Sequence, residues 1–429
     1  MKIAIAVHGR FHAFDLAREL SRRHDVTVFT NYPKWAATRF GLAPAQVRTF
    51  WAHGIASRVA WWLHENLSIP YPEALLHRVF GHWAARRIAA EQWDVVHSFS
   101  GVSEEILRAT SGRAGLRMMV RGSAHIRTQA RILEEEELRT RTRMDRPSRW
   151  IVAREEREYA VADRILVLSQ FAWDSFVAEG VGPGRLALLP LGARLDHFRL
   201  APEIVEARCA RILSGEPLRV LFVGALSFQK GLLDMASVLR GPGSRRFQFR
   251  FVGPGSNEAR SLVKSLHPLA EFIPKQPQHE LPAQYAWGDL FVFPTIQDGF
   301  AVVLAQAAAA ALPILTTTNC CGPDLIREGE TGWVLPIRSP QAFIDRLHWC
   351  DAHREELAHM VRRIYHDFQP RTWADVAADF ESICAEFVAP AGRNRKPQSH
   401  PADQRHAAEQ SHAAAEQSHD RQGVGSHHA

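Results

Sequence analysis

Cysteine is scarce in this chain, with five in 429 residues. They stand at 209, 320, 321, 350 and 384, mostly inside apolar segments. So few, and odd in number, they exclude a disulfide framework and lead us to expect a reducing compartment. Cys320 and Cys321 are adjacent, the wrong spacing for a zinc knuckle. No run of about 18 apolar residues occurs, which excludes an apolar membrane-spanning helix. The opening MKIAIAVHGR meets charge too soon to serve as a secretion signal, so neither export nor insertion is expected. No Asp-any-Asp pair occurs, and transferases that hold a diphosphate through a divalent metal usually depend on one. A complete GxGxxG is also missing: VGPGSNE has Gly253 and Gly255 but Glu258 where the third glycine belongs. That excludes a dinucleotide-dependent dehydrogenase.

What is present is an ordinary soluble composition, 46% hydrophobic and 23% charged, long enough for two domains. The charge is uneven. Residues 1–200 hold 29 Lys and Arg against 21 Asp and Glu, while the remainder is slightly acidic. A basic N-terminal half suits an anionic partner, such as a phospholipid leaflet or a pyrophosphate-linked lipid. Nucleic acid is not expected, because no compact basic block with interleaved aromatics stands out.

Short β-branched runs alternate with helical patterns. KIAIAV (2–7), DVTVFT (25–30), DVVHSFS (94–100), RMMVRGS (117–123), RILVLS (164–169) and LALLPLG (186–192) read as buried strands, with stretches such as FDLARELSRRH between them. The pattern restarts with LRVLFVG (218–224), FQFRFVG (247–253), LFVFP (290–294) and PILTT (313–317). Such alternation predicts two doubly wound α/β units, with ligands at the carboxyl ends of the strands in the cleft between them. The expected limits are 1–200 for the first unit, 201–372 for the second and 373–389 for a helix returning towards the first. A tail over 390–429, with AAEQSH at 407–412 and 414–419, lacks the apolar residues to fold and is expected to be disordered.

Several stretches carry a family likeness. VGALSFQKG (223–231) has a Gly-rich turn ending in Lys-Gly, FVGPGSNEA (251–259) a second glycine strand end, and PTIQDGFAVVLAQAAAAALPILTT (294–317) two polar residues bracketing seven others. With weaker echoes in HGRFHAFDLAREL, RGSAHI and REEREYAVADRILVLSQ, the chain resembles glycosyltransferase family 4. These are retaining enzymes of two facing Rossmann-like domains, the GT-B architecture. The basic N-terminal half and the missing export signal favour a cytoplasmic enzyme, with peripheral contact at the inner membrane face through the basic N-terminal domain as a further expectation. By the resemblance, that enzyme would move a sugar from a nucleotide-diphosphate donor to a glycan or lipid-linked acceptor in cell-surface polysaccharide biosynthesis. No cofactor or metal is implied. A non-catalytic binding protein and a sugar-nucleotide epimerase on the same fold are the alternatives.

The resemblance also implies roles. Lys230, with Gly224, would lie at the donor pyrophosphate and offset charge on the leaving diphosphate. Asp298 would bind hydroxyls of the transferred sugar and support an oxocarbenium-like centre. Gly299 and Phe300 would offer backbone N–H groups there, aided by the following helix N-terminus. Gln306, eight residues after Asp298 and about 12 Å along if helical, would reach the ribose, where the family usually has Glu. His125 would face the sugar or acceptor. Arg10 would compensate across the cleft for Ala225, which replaces a family Arg. Ala311, replacing a family Gly, reads as a minor packing change.

Two further stretches have plainer readings. EEEE (134–137) reads as a solvated helix face. VAWWLHENLSIPYPEALLHRVFGHWAARR (59–87) reads as core packing, with a membrane-interface face or a wall of the acceptor groove as alternatives.

Overall fold

The ten expected apolar runs all form strands, arranged in two all-parallel sheets. A computed structural model describes residues 1–67 and 69–387, so the tail expected at 390–429 lies outside the described residues. The first sheet comprises β1 (Lys2–Val7), β2 (Asp25–Thr30), β3 (Val47–Thr49), β4 (Trp93–Phe99), β5 (Ala114–Arg121), β6 (Arg164–Val167) and β7 (Leu186–Leu188). Its order is β3-β2-β1-β4-β5-β6-β7. The second comprises β8 (Leu218–Val223), β9 (Phe247–Val252), β10 (Glu271–Ile273), β11 (Leu290–Phe293), β12 (Ile314–Thr317) and β13 (Gly332–Leu335), ordered β10-β9-β8-β11-β12-β13. Sequence reasoning missed β3, β10 and β13, which all lie at sheet edges. β3 (VRT) and β10 (EFI) each include a charged residue and are three residues long, whereas the equally short edge strand β7 lies within the longer apolar stretch LALLPLG.

Strand order reverses between β1 and β4 in one sheet and between β8 and β11 in the other. At such switch points the loops diverge to opposite sides and leave a crevice for ligand. In the second sheet these loops are 224–231 after β8 and 294–301 after β11.

The helix Trp373–Ala385 starts at a capping box: Thr372 Oγ1 accepts from the Asp375 N–H at 3.3 Å, and Asp375 Oδ2 accepts from the Thr372 N–H at 2.8 Å. It packs Trp373, Val376, Phe380 and Cys384 into the core of the first sheet, so the end of the folded chain closes on its beginning. Glu381 adds a 3.0 Å contact to His24. All five cysteines are free and buried. No helix among the described residues is long and apolar enough to cross a membrane.

The acidic run 134–137 is a solvated face only at Glu134 and Glu135, which are exposed. Glu136 is fully buried and takes Arg139 at 3.0 Å and, from the second half of the chain, Arg338 at 2.8 Å, while Glu135 takes Arg338 at 2.7 Å. Arg139 also pairs with Asp234. The helix Ile126–Thr140 therefore joins the two halves through paired charges, a role invisible without the partners.

His97 on β4 lies beneath the returning helix, 1% exposed, with its ring 5.4 Å from Phe380 and neither nitrogen hydrogen-bonded among the described residues. Burial, helped by neighbouring His12, drives its pKa down to about 3. The native state thus holds the neutral ring, whereas the unfolded chain takes up a proton below about pH 6.5. This contribution is present above pH 6.5 and is lost as pH falls towards 3, amounting to about 3 kcal/mol between pH 7 and pH 4. The thermal midpoint should fall steadily over that range, and less steeply in His97→Phe. Parallel pH profiles of the two proteins would contradict this account.

Candidate active site

The loop after β8 is forced against the end of β11 by one glycine. Gly231 has φ +79°, and a Cβ there would sit 2.0 Å from the carbonyl oxygen of Pro294. Only glycine permits both the left-handed conformation and the approach. Gln229 C=O then accepts the Ile296 N–H at 2.9 Å, which stitches the two switch-point loops together. Lys230 follows directly, and its ammonium donates to Asp298 Oδ2 at 2.6 Å. Both side chains are about one-fifth exposed, so the pair stays in contact with the crevice.

Asp298 is fixed on every side. Its N–H donates to Asn319 C=O at 2.9 Å, and its Oδ1 accepts the Phe300 N–H at 3.2 Å. Among the described residues the N–H groups of Gly299 and Ala301 donate to no protein acceptor. They stand just before the helix Val302–Ala309, whose positive dipole end favours an anion. The far end of that helix is held by Arg208, 2% exposed, which donates to Ala310 C=O and, at 3.1 Å, to Ala311 C=O. Ala311 adopts φ +56°, so its replacement of the family glycine leaves a strained left-handed alanine, not a neutral packing change.

The first half of the chain reaches the same loop. A Cβ on Gly299 would lie 2.0 Å from Gly122 C=O, so the 294–301 loop touches the loop after β5 backbone to backbone. Beside that contact Gln297, 1% exposed, donates to Ser123 Oγ. Gln229 in turn donates to Gln297 C=O at 3.2 Å. Sequence reasoning missed Gln297, Ser123 and Asn319. Gln297 and Ser123 lie inside quoted stretches and Asn319 two residues beyond one, but their pairings span up to 174 residues.

Other expected residues behave differently. Gly224 spends its N–H on Val252 C=O at 3.0 Å, and its carbonyl lies where a Cβ on Gly253 would be. It is Gly253 that permits this close crossing of two strand ends, and the Gly224 N–H is not left for a phosphate. Phe300 has its N–H committed to Asp298, and its ring packs against the cores of both sheets. Gln306 is 6% exposed and its Oε1 accepts from buried Tyr285 at 2.9 Å. One of the two lone pairs of the expected ribose acceptor is therefore occupied inside the protein.

His125 is a helix cap. Nδ1 accepts the Arg127 N–H at 3.3 Å, the ring packs against Tyr159 and Phe176, and burial lowers its pKa to about 4. Ring packing, not a cleft, explains a neutral imidazole 4% exposed. Arg10 is exposed in the loop after β1, its guanidinium 4.3 Å from the Phe40 ring centroid, and it pairs with neither Lys230 nor Asp298. Among the described residues no three His, Cys, Asp or Glu side chains converge as a metal site.

Comparison with known proteins places this geometry. The model of Glycosyltransferase Family 4 matches residues 10–197 and that of Glycosyl transferases group 1 matches residues 217–350, together well over half of the chain. The D-inositol 3-phosphate glycosyltransferase of Streptomyces bingchenggensis is 26% identical over 73% of this chain and 71% of its own. The amylovoran biosynthesis glycosyltransferase AmsK of Erwinia amylovora is 24% identical over 43% of this chain and 47% of its own. The chain spans about half the length of several of the curated relatives it matches. Among solved structures, Anabaena HepE in complex with UDP-glucose superposes with a TM-score of 0.64 at 12% identity, covering 90% of this chain and all of that one. That likeness identifies the fold as two facing Rossmann-like domains.

Proposed function

Since the chain belongs to the group 1, family 4 glycosyltransferases, we propose that it moves a sugar from a nucleotide-diphosphate donor to a glycan or lipid-linked acceptor in polysaccharide biosynthesis. The observation that carries this is the meeting of Lys230 and Asp298 at 2.6 Å, from the two loops of one switch point, beside uncommitted backbone N–H groups. A diphosphate brings negative charge to a place already supplied with an ammonium and a helix N-terminus. Lys230 keeps two further N–H donors for it. Asp298, held by Lys230, Phe300 and Asn319, presents a carboxylate to sugar hydroxyls. Solved HepE complexes contain UDP and UDP-glucose, which supports a nucleotide-sugar donor here.

In the transfer, the bond from the anomeric carbon to the diphosphate oxygen breaks. The acceptor hydroxyl bonds that carbon from the same face, and its proton passes to the departing phosphate oxygen. Configuration is retained. Lys230 offsets the charge that grows on the leaving group. We assign the charge balance to Lys230 and the backbone donors without a metal, and the reaction to the cytoplasmic side of the membrane. Domains bounded near residue 200 would hold acceptor and donor respectively.

The experiment is a transfer reaction with nucleotide-sugars and a membrane extract as acceptor source, with and without EDTA. Release of nucleoside diphosphate that persists in EDTA, with a product anomer matching the donor by NMR, is expected. An inverted product or metal-dependent release would overturn the mechanism.

A second reading, a non-catalytic donor-binding relative, is favoured by Gln306 Oε1 accepting from Tyr285. It predicts donor binding without any release of nucleoside diphosphate.

A further inference from the structure

The helix Trp51–Leu67 buries only His53 and Ser57, although most of its residues are apolar. Trp51, Ile55, Val59 and Trp62 recur at intervals of four and three. At 100° per residue they share an arc about 80° wide, on the side away from His53 and Ser57. All four are more than half exposed, as is Trp61 beside them. The expectation of core packing fails for this helix.

The next helix, Glu73–Ile88, lays a second exposed stripe alongside: Leu75, Arg78, Val79, His82 and Arg86 recur at three and four. Phe50, just before the first helix, and Trp83 with the basic side chains Arg78, His82, Arg86 and Arg87 of the second line a cavity of about 510 Å³. The hairpin is anchored from within by His53, whose Nε2 lies 2.9 Å from Leu76 C=O.

Most charges on this face lack a carboxylate, although His82 Nδ1 lies 3.9 Å from Glu105 and the Arg78 guanidinium 5.7 Å from the Trp150 ring centroid. Elsewhere in the first half of the chain Arg108, Arg117, Arg139, Arg154 and Arg157 pair with carboxylates. Among the described residues Arg58, Arg78, Arg86 and Arg87 pair with none.

We propose that this hairpin seats the enzyme on an anionic phospholipid leaflet, with the tryptophan arc at the acyl boundary and the arginine-lined cavity taking headgroup phosphates. Tryptophan, with an apolar ring and one N–H donor, suits the junction of acyl chain and headgroup. Unpaired guanidinium groups suit phosphate oxygens. A second copy of this chain is a poor occupant, because a two-fold contact would set this arginine-rich face against itself. The proposal deepens the assignment of a lipid-linked acceptor, whose reactive end must meet the enzyme at a membrane surface. Vesicle binding needs neither donor nor transfer, so either claim can fail alone.

The test is co-sedimentation of the full chain with phosphatidylcholine vesicles, plain or doped with phosphatidylglycerol. Doped vesicles should bind it at least about tenfold more tightly, with the gain lost at high salt. Both Trp51→Ser/Trp62→Ser and Arg86→Glu/Arg87→Glu should abolish that gain while keeping the wild-type thermal midpoint. A lowered midpoint would direct the comparison to the single variants Trp62→Ser and Arg87→Glu, held to the same criterion. Equal binding by wild type and variants, no binding, or a dimer in sedimentation equilibrium that Trp62→Ser dissolves would each overturn the proposal.

Discussion

Lys230→Ala is expected to lower kcat/KM for sugar transfer by about 10²–10³-fold, the usual cost of removing one preorganised charge from the site of a developing anion. Lys230 is the cation brought to the switch-point crevice by the Gly231 turn, and Asp298 holds its ammonium in place. In the free enzyme the pair is partly solvated, so its loss should cost about 1 kcal/mol of stability or less. Activity and stability should therefore part company in this variant, which distinguishes a catalytic loss from a folding one. Lys230→Arg should recover only part of the rate, because a planar guanidinium offers its donors along other directions than an ammonium. Asp298→Asn should weaken sugar transfer without restoring anything to Lys230→Ala, since the two act on one substrate. A kcat/KM within threefold of wild type for Lys230→Ala would remove the ammonium from the mechanism.

Gly299→Val should be equally damaging by a different route. Its Cβ would fall 2.0 Å from Gly122 C=O and 2.6 Å from Ser123 Cα, both backbone atoms that no rotamer change can move. One loop or the other must shift, and an overpacked contact of this kind costs about 1–3 kcal/mol. The larger consequence is functional. The shift would displace Asp298, the adjacent residue, and a misplacement of about 1 Å can cost 10²-fold in rate. Gly255→Ala is the control, since nothing lies within 4 Å of its would-be Cβ. It should leave rate and thermal midpoint unchanged. A Gly299→Val protein as active as wild type would mean that the two halves do not meet at this loop during turnover.

The strands that were legible in the sequence are those rich in apolar residues, whether in a run as in KIAIAV or in alternation as in FQFRFV, because a buried parallel strand turns apolar side chains to its covered faces. The edge strands β3 and β10, three residues each, carry no such record. At the site, the placements that were legible are those set by a local turn. Lys230 sits beside Gly231, and Asp298 lies within the loop that leads into a helix. What was not legible shares a cause: the packing partner is distant in sequence. Nothing local to His125 announced that Tyr159 and Phe176 close around it. Nothing near Gln306 announced Tyr285, 21 residues earlier, which donates to its oxygen. Glu136 looked solvated until Arg338 reached it from 202 residues away. Residue type and spacing report what a side chain can do, whereas its availability depends on what the fold packs against it.

The central claim is that the Lys230–Asp298 crevice holds a nucleotide-sugar. It is tested most directly by thermal unfolding of the full chain against UDP-, GDP-, ADP- and dTDP-sugars, with Lys230→Ala alongside. At 100 times its dissociation constant, the true donor should add about 2.7 kcal/mol of stability. That gain should appear with one nucleotide class and vanish in the variant. If no nucleotide-sugar raises the midpoint, or if the gain survives in Lys230→Ala, the crevice is not the donor site.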